Sequence, residues 1–372
     1  MFRKIFIVSL LLILASCAGS NIFPDIGNNE AAPINIWVNS AANRAYLINS
    51  NNTVLYKTGS IQVLDITTPT APTLIQTATL DNFSGHTYLD VASNYLFVSN
   101  RLSSGDTDLN DNILRVNVDE ASANFLQVDY FADGSNPFGL TLDASATNLY
   151  IASYEGSLGY FPIASPSSMQ AITFAELDMD DGYKLVQPAF RDVAIIGTQA
   201  YLSVTSGGIL VVNLTGQNAE YFINDVYNPR AITTDGTYIY ITGVDTSTSP
   251  SVNYLYKLDP SVLTPITGNT TVSSISKSTA GLLVNSVAVG NNPQEILVLT
   301  NYIFVSNTDS NTVSAVNRAT FVDDKDITVG TEPFGLAAYR PGGVDAYLYV
   351  TNLRSSNVSI VDLATLAVVA TY

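Results

Sequence analysis

Tyr347 to Asn352 reads YLYVTN, and after five further residues the chain continues VSIVDLAT. About forty-five residues upstream, YIFVSN at Tyr302 is followed by TVSAVNRAT. A chain that repeats itself at this spacing is built from units, each of which is one small supersecondary element. Aligning the aromatic residue of every such segment gives seven positions: Tyr46, Phe97, Tyr150, Tyr201, Tyr240, Phe304 and Tyr349. They are separated by 51, 53, 51, 39, 64 and 45 residues, near the period of a four-stranded propeller blade.

A second column supports the first. Pro33, Pro137, Pro188, Pro229, Pro293 and Pro333 each precede the aromatic by 11 to 16 residues, and Gly85-His86 stands where the proline of the second unit belongs. Proline cannot donate to a sheet ladder, so it suits the start of a strand. After each aromatic comes a run rich in β-branched and apolar residues and bounded by Asn, Ser, Gly or Asp, such as GSIQVLDI at Gly59, GGILVVNL at Gly207 and NVSIVDL at Asn357. Each unit therefore predicts strand A after the proline, strand B with the aromatic, strand C, and an outer strand D such as TLIQTATL or AVVATY. A single blade cannot bury both of its faces, so the reading is an all-β, seven-bladed β-propeller of four-stranded antiparallel blades over residues 33–372. The first unit begins with an A strand and the last ends with a D strand, so no blade is expected to be split. Residues 18–32 read as a polar tether. The sequence GYFPIA at Gly159 is expected to interrupt strand C of blade three. Some twenty Ser/Thr-rich residues, 260–281, are expected as extra chain before strand D of blade five.

The repeat Pro333-Phe-Gly-Leu, then YLYVTN, then SNVSIVDLAT resembles the YVTN family of β-propeller proteins, strongly in the last two units and more weakly elsewhere. The turn DITTPTAP at Asp65 is similar to that of the related LVIVD repeat. The resemblance implies the same seven-bladed fold and, through lactonase-like propellers, the alternative of a hydrolase.

The amino terminus has a basic start at Arg3 and Lys4, an apolar run from Ile5 to Leu14, and small residues before Cys17. This is the pattern of a secretory signal. It resembles a bacterial lipoprotein signal over residues 1–17, with Leu14, Ala15, Ser16 and Cys17 as the lipobox. The resemblance implies lipidation of Cys17 and a membrane attachment made by lipid, since the apolar run is too short to span a bilayer. An ordinary cleaved signal or a membrane anchor is the alternative. Ala18, which is not aspartate, implies sorting to the outer membrane, on either its periplasmic or its outer side. Cys17 is the chain's only cysteine, so an exported body must rely on its core and not on disulfides.

Once the signal is removed, 13 basic side chains face 32 acidic ones, a net charge of −19. Nucleic acid is disfavoured as a partner, because phosphate binding needs a basic footprint. Strands alternate in direction, so B–C and D–A loops share one face of the ring. Asp81, Asp133, Asp225, Asp245 and Glu332 fall on that face. Loops on a rigid scaffold are where binding resides. The alternating oxygens of Asp106, Asp108 and Asn110 have the spacing of a hard-cation loop, and Asp178, Asp180 and Asp181 are a second candidate for calcium. Neither completes an EF-hand pattern. His86, the single histidine, together with Arg191, Arg230 and Glu295, takes the place at the start of strand A and is expected near the mouth of the central channel. One histidine excludes a multi-histidine zinc site. No phosphate-binding glycine loop, dinucleotide fingerprint or paired-cysteine site is present. The reading is a lipid-anchored envelope module that binds a protein, peptide or surface polymer through its acidic, loop-rich face. The alternative is a propeller hydrolase, possibly using a metal to activate water.

Overall fold

In a computed structural model, residues 27–29, 31–50, 58–80, 84–90, 94–100, 112–132, 136–165, 169–246, 249–264, 266 and 271–372 are described. Seven sheets follow one another along the chain, at 33–80, 84–132, 137–173, 190–224, 232–289, 293–328 and 333–371. Each pairs its strands antiparallel in the order A, B, C, D, so the seven-bladed propeller is observed blade by blade. Strand A begins on the expected proline in blades one, three, six and seven. In blades four and five it begins later, at Phe190 and Ile232.

Inner and outer strands differ in burial for a simple reason. A blade is sandwiched between two neighbours, so its B and C strands are covered on both faces. YLFVSN (Tyr95–Asn100), YIFVSN (Tyr302–Asn307) and YLYVTN (Tyr347–Asn352) are accordingly buried at every position but the first. Strand D of blade one, Thr73–Leu80, lies at the rim and is mostly exposed. The aromatic column is core throughout, and Tyr46, Phe97, Tyr201, Tyr240, Phe304 and Tyr349 have at most 1% of their surface exposed. Trp37 of strand A, Pro33–Asn39, is only partly buried, 5.4 Å from the Tyr46 ring.

The rest of the repeated hexapeptide has a mechanical explanation. Strand A carries a bulge near its start, with register shifts at Pro33/Asn35, Phe190/Asp192, Pro293/Glu295 and Pro333/Leu336. The freed N–H is taken by the hydroxyl two residues after the aromatic: Asp192 N–H donates to Ser203 Oγ (2.9 Å), Ala231 to Thr242 Oγ1 (3.1 Å), Glu295 to Ser306 Oγ (3.2 Å) and Gly335 to Thr351 Oγ1 (2.7 Å). The hydroxyl then donates across to the next blade, as Ser99 does to the Phe138 carbonyl (2.7 Å) and Thr351 to the Ile34 carbonyl (3.1 Å). The final asparagine ties strand B to strand C. Asn49, Asn307 and Asn352 donate from Nδ2 to Ser60, Ser314 and Ser359, at 2.9 to 3.1 Å.

The ring closes by packing blade seven on blade one. Besides Thr351 to Ile34, Tyr349 OH donates to the Pro69 carbonyl (2.8 Å) and Tyr339 OH to Asn43 Oδ1 (2.6 Å), around a core that joins Ile36 and Leu47 to Tyr349 and Ile360. Each of these two blades keeps its own four strands, as expected from the phase of the repeat.

Two sequence expectations are corrected, and one connection carries structure that the sequence reading did not address. GYFP does not interrupt strand C of blade three, which runs Ser157–Pro162 with Pro162 as its last residue, where no further N–H is required. The connection between blades three and four is a hairpin, Glu176–Asp178 with Lys184–Val186. The insertion in blade five does more than lengthen a connection. Its segment Ser273–Ser276 pairs in parallel with Asn218–Asn224, giving blade four a fifth strand. Hairpin and insertion meet at the rim of blade four. Met179 and Val272 form a parallel bridge, and Asp180 accepts from Ser274 N (2.8 Å) and Ser273 Oγ (3.0 Å). The outer edge of blade four is thereby covered, which removes a strand edge open to other chains.

Candidate functional site

Strand A of every blade faces the central channel, and its bulge sets which side chains meet there. Matching each strand A to the residue two after the aromatic, a hydroxyl in blades four to seven but Ile48 in blade one and Ala152 in blade three, places Asn35, Gly139, Asp192, Ala231, Glu295 and Gly335 in one layer. The backbone of His86 occupies the same place in Ser84–Asp90, and its side chain lies outside the described residues. The residue before the bulge forms a second layer nearer the loop-rich face, with Phe138, Arg191, Arg230 and Gln294.

The expected channel residues therefore gather, but in two layers. Arg191 reaches across the ring: its Nη2 donates to Gln294 Oε1 of blade six (2.6 Å), and its guanidinium lies 4.8 Å from the Phe138 ring of blade three. Arg230 is half-buried at the mouth. Burial pushes its guanidinium below the usual range, opposed by Asp309 of the blade six B–C turn and Tyr154 of the blade three B–C turn. No carboxylate lies within ion-pairing distance of Arg230 among the described residues. Groups from blades three, five and six thus converge on this cation. Two exposed aromatics share the face: Tyr154 (41% exposed), and Tyr227 (46%), three residues before Arg230.

Glu295 sits one layer deeper, with Asp192, which the sequence reading passed over in favour of its neighbour Arg191. Asp192 accepts from Val193 N and, across the seam to blade five, from Ile232 N, both at 2.9 Å. Burial nevertheless pushes its carboxyl up to about 7. Glu295 is pushed up to about 8 by burial and by the charge of Asp192, against the pull of the Leu336 N–H in blade seven. The two acids are equivalent in the repeat, each reaching to the backbone of the next blade. The signal that would have found Asp192 is its pairing with Ser203, the hydroxyl two residues after Tyr201. The proline offset that selected Arg191 misleads, because the bulge shifts the register.

The candidate calcium residues have separate fates. Asp106, Asp108 and Asn110 lie outside the described residues. Asp178 pairs with Lys184 Nζ (3.0 Å), Asp180 joins the two insertions, and Asp181 accepts from Tyr183 N (2.9 Å). Among the described residues no three carboxylate, histidine or cysteine side chains come together in a way that could hold a metal ion. Of the other acids on this face, Asp225 accepts from Ser276 Oγ (2.6 Å) and Glu332 from Arg354 Nη1 (3.0 Å). Asp81, Asp133 and Cys17 lie outside the described residues.

The architecture defines the class: this chain is a seven-bladed β-propeller. No protein-family model matches its sequence, and no curated protein does. Solved structures match its fold. A chain titled "Kuenenia stuttgartiensis Hydrazine Synthase" superposes with a TM-score of 0.66 at 14% identity, covering 93% of this chain and 99% of that one. A second match, "Crystal structure of the computationally designed Ika8 protein", has a TM-score of 0.55 at 10% identity, over 95% of this chain and 90% of that one. At such identities the likeness is one of fold alone.

Proposed function

We propose that this protein is a binding module of a bacterial cell envelope, anchored by lipid on Cys17, that engages an anionic group of a protein, peptide or surface polymer at the channel mouth of its loop-rich face. The observation that carries this reading is Arg230: a half-buried guanidinium without an ion-pair partner among the described residues, at a point where three blades converge, in a strongly acidic chain. A desolvated charge left unpaired is costly, and a ligand anion offsets that cost. Arginine with tyrosine is also the combination that dominates binding hot spots, and Tyr154 and Tyr227 supply the aromatic surface.

Screening the mature protein against peptide and surface-polymer arrays is expected to return anionic ligands. Arg230→Gln lowers their affinity at least tenfold, and Asp309→Asn, which removes a competing negative charge, strengthens it. Undiminished binding by Arg230→Gln would move the site elsewhere. An array without hits, combined with turnover of ester substrates that is lost on chelation, would favour a metal-dependent hydrolase. The anchor has its own test. Cells fed labelled palmitate are expected to label the wild-type chain, whereas Cys17→Ala takes no label and leaves the membrane fraction; an unlabelled wild type refutes lipidation.

A further inference from the structure

Away from Arg230, a cavity of about 320 Å³ lies against strands A of blades one, six and seven. Consecutive residues of each strand line it, at 35–38, at 297–298 with the following Leu299, and at 336–338. Since side chains alternate along a strand, consecutive lining residues mean that the strands present an edge to the cavity, and strand A has no partner on its inner side. The volume is at the lower end of the range that small-molecule sites occupy; nine of the twelve lining residues are apolar, with Trp37 the aromatic contributor, and the open strand edges add polar backbone to the wall.

Among the described residues, two polar side chains in this wall have groups without a hydrogen-bond partner. Asn35 is 3% exposed, and its Oδ1 accepts from Ile36 N (2.7 Å), which fixes the amide's orientation and leaves Nδ2 buried without a partner. Glu295 receives the Leu336 N–H on one carboxyl oxygen, and its Oε2 is buried without a partner. Burial and the charge of Asp192 push this carboxyl up to about 8, and in its protonated form Oε2 is a donor, as Asn35 Nδ2 is. Buried polar groups are ordinarily satisfied, and each exception requires a reason. A cation is disfavoured by two donors. An anion is disfavoured because the guanidinium at the rim, Arg340, is already held by Asp345 at 2.6 Å.

We propose that this cavity is a second binding site, for a small neutral molecule whose apolar body carries a carbonyl acceptor, such as an amide or ketone. The carbonyl oxygen receives Asn35 Nδ2–H and the Glu295 carboxyl proton, and the apolar body packs on Trp37 and Leu336. This site is independent of the channel mouth, and its ligand differs in charge from the one assigned there.

Trp37 is the chain's only tryptophan, so its fluorescence reports on the cavity without labelling. The full mature protein is titrated with a panel of N-alkyl amides and cyclic ketones, with hydrocarbons, alkylammonium ions and carboxylates of matched size as controls. Saturable fluorescence changes are expected for the carbonyl compounds, at least tenfold weaker or absent for the controls. Asn35→Asp, which keeps the shape but exchanges the donor for an acceptor, and Ala338→Leu, which fills the cavity, are each expected to weaken binding at least tenfold. Glu295→Gln retains a donor and is expected to stay within threefold of wild type. Absence of a saturable response to every carbonyl compound overturns the proposal. So does equal binding of the hydrocarbons, or unchanged affinity in whichever of Asn35→Asp and Ala338→Leu folds as judged by circular dichroism.

Discussion

Replacing Gly335 by alanine is expected to loosen the ring at the seam between blades seven and one, at a cost of about 2–3 kcal/mol. A Cβ at Gly335 would stand 2.7 Å from the Asn35 Cα and 2.8 Å from the Ile34 carbonyl oxygen, both backbone atoms that no side-chain rotation can clear. The same position in blade three is Gly139, whose Cβ would meet Asp192 at 2.3 Å from Oδ1 and 2.6 Å from Cα. Gly139→Ala is therefore expected to cost a similar amount at the seam between blades three and four. Both losses are measured by urea unfolding, and both variants are expected to melt several degrees below wild type. Midpoints equal to that of the wild type would show that the seams relax freely, and that the blades do not depend on this close approach.

The second large effect is on the dependence of stability on pH. Asp192 and Glu295 have folded pKa values raised to about 7 and about 8, above the ordinary values of 3.8 and 4.5. The folded ring thus holds more protons than the unfolded chain between these limits. By linkage, the contribution of the two acids is fully present below about pH 4 and is lost as the pH rises to about 8. Each group contributes at most about 4–5 kcal/mol to that decline. Asp235 acts in the opposite direction: burial is outweighed by the N–H groups of Tyr238 and Thr237 and by Arg318, so its pKa is lowered and its contribution is lost as acid is added. Stability is therefore expected to peak in mildly acidic solution. The double variant Asp192→Asn with Glu295→Gln is expected to remove most of the decline between pH 5 and pH 9, measured as unfolding free energy at each pH. A wild type whose stability is level across that range would refute the assignment.

Much of the fold was legible from the aromatic column because a blade is a local object. Its four strands are consecutive, its turns are short, and its B strand is buried on both faces, which writes an almost continuous apolar run into the sequence. Thr73–Leu80, expected as a D strand, is one to the residue. The hydroxyl and the asparagine of YLYVTN were visible as a pattern but not as a mechanism, since the hydroxyl's acceptor belongs to the next blade: Thr351 bonds Ile34, 317 residues away. The insertion at 260–281 was misjudged for a related reason. Its Ser/Thr-rich composition suggests exposed chain, and only the neighbouring Asn218–Asn224 edge makes Ser273–Ser276 a strand.

The candidate site divides along the same line. Arg191, Arg230 and Glu295 were expected near the channel because they follow the repeat's prolines; Arg191 and Arg230 fall in the layer before the bulge and Glu295 one layer deeper. Asp192, Gln294 and Asn35 escaped notice because a one-residue bulge decides which side chains share a layer, and a bulge is a property of two paired strands. The linear chain by itself determined the number of blades, the order of their strands and the residues of their cores, all consequences of periodic apolar patterning over short distances. Tertiary structure alone decided that two carboxyls are pushed toward their neutral form, that Arg230 has no ion-pair partner among the described residues, and that glycine is required at two seams. Those are effects of desolvation and close contact between segments remote in sequence, and they arise only when seven blades are brought around one axis.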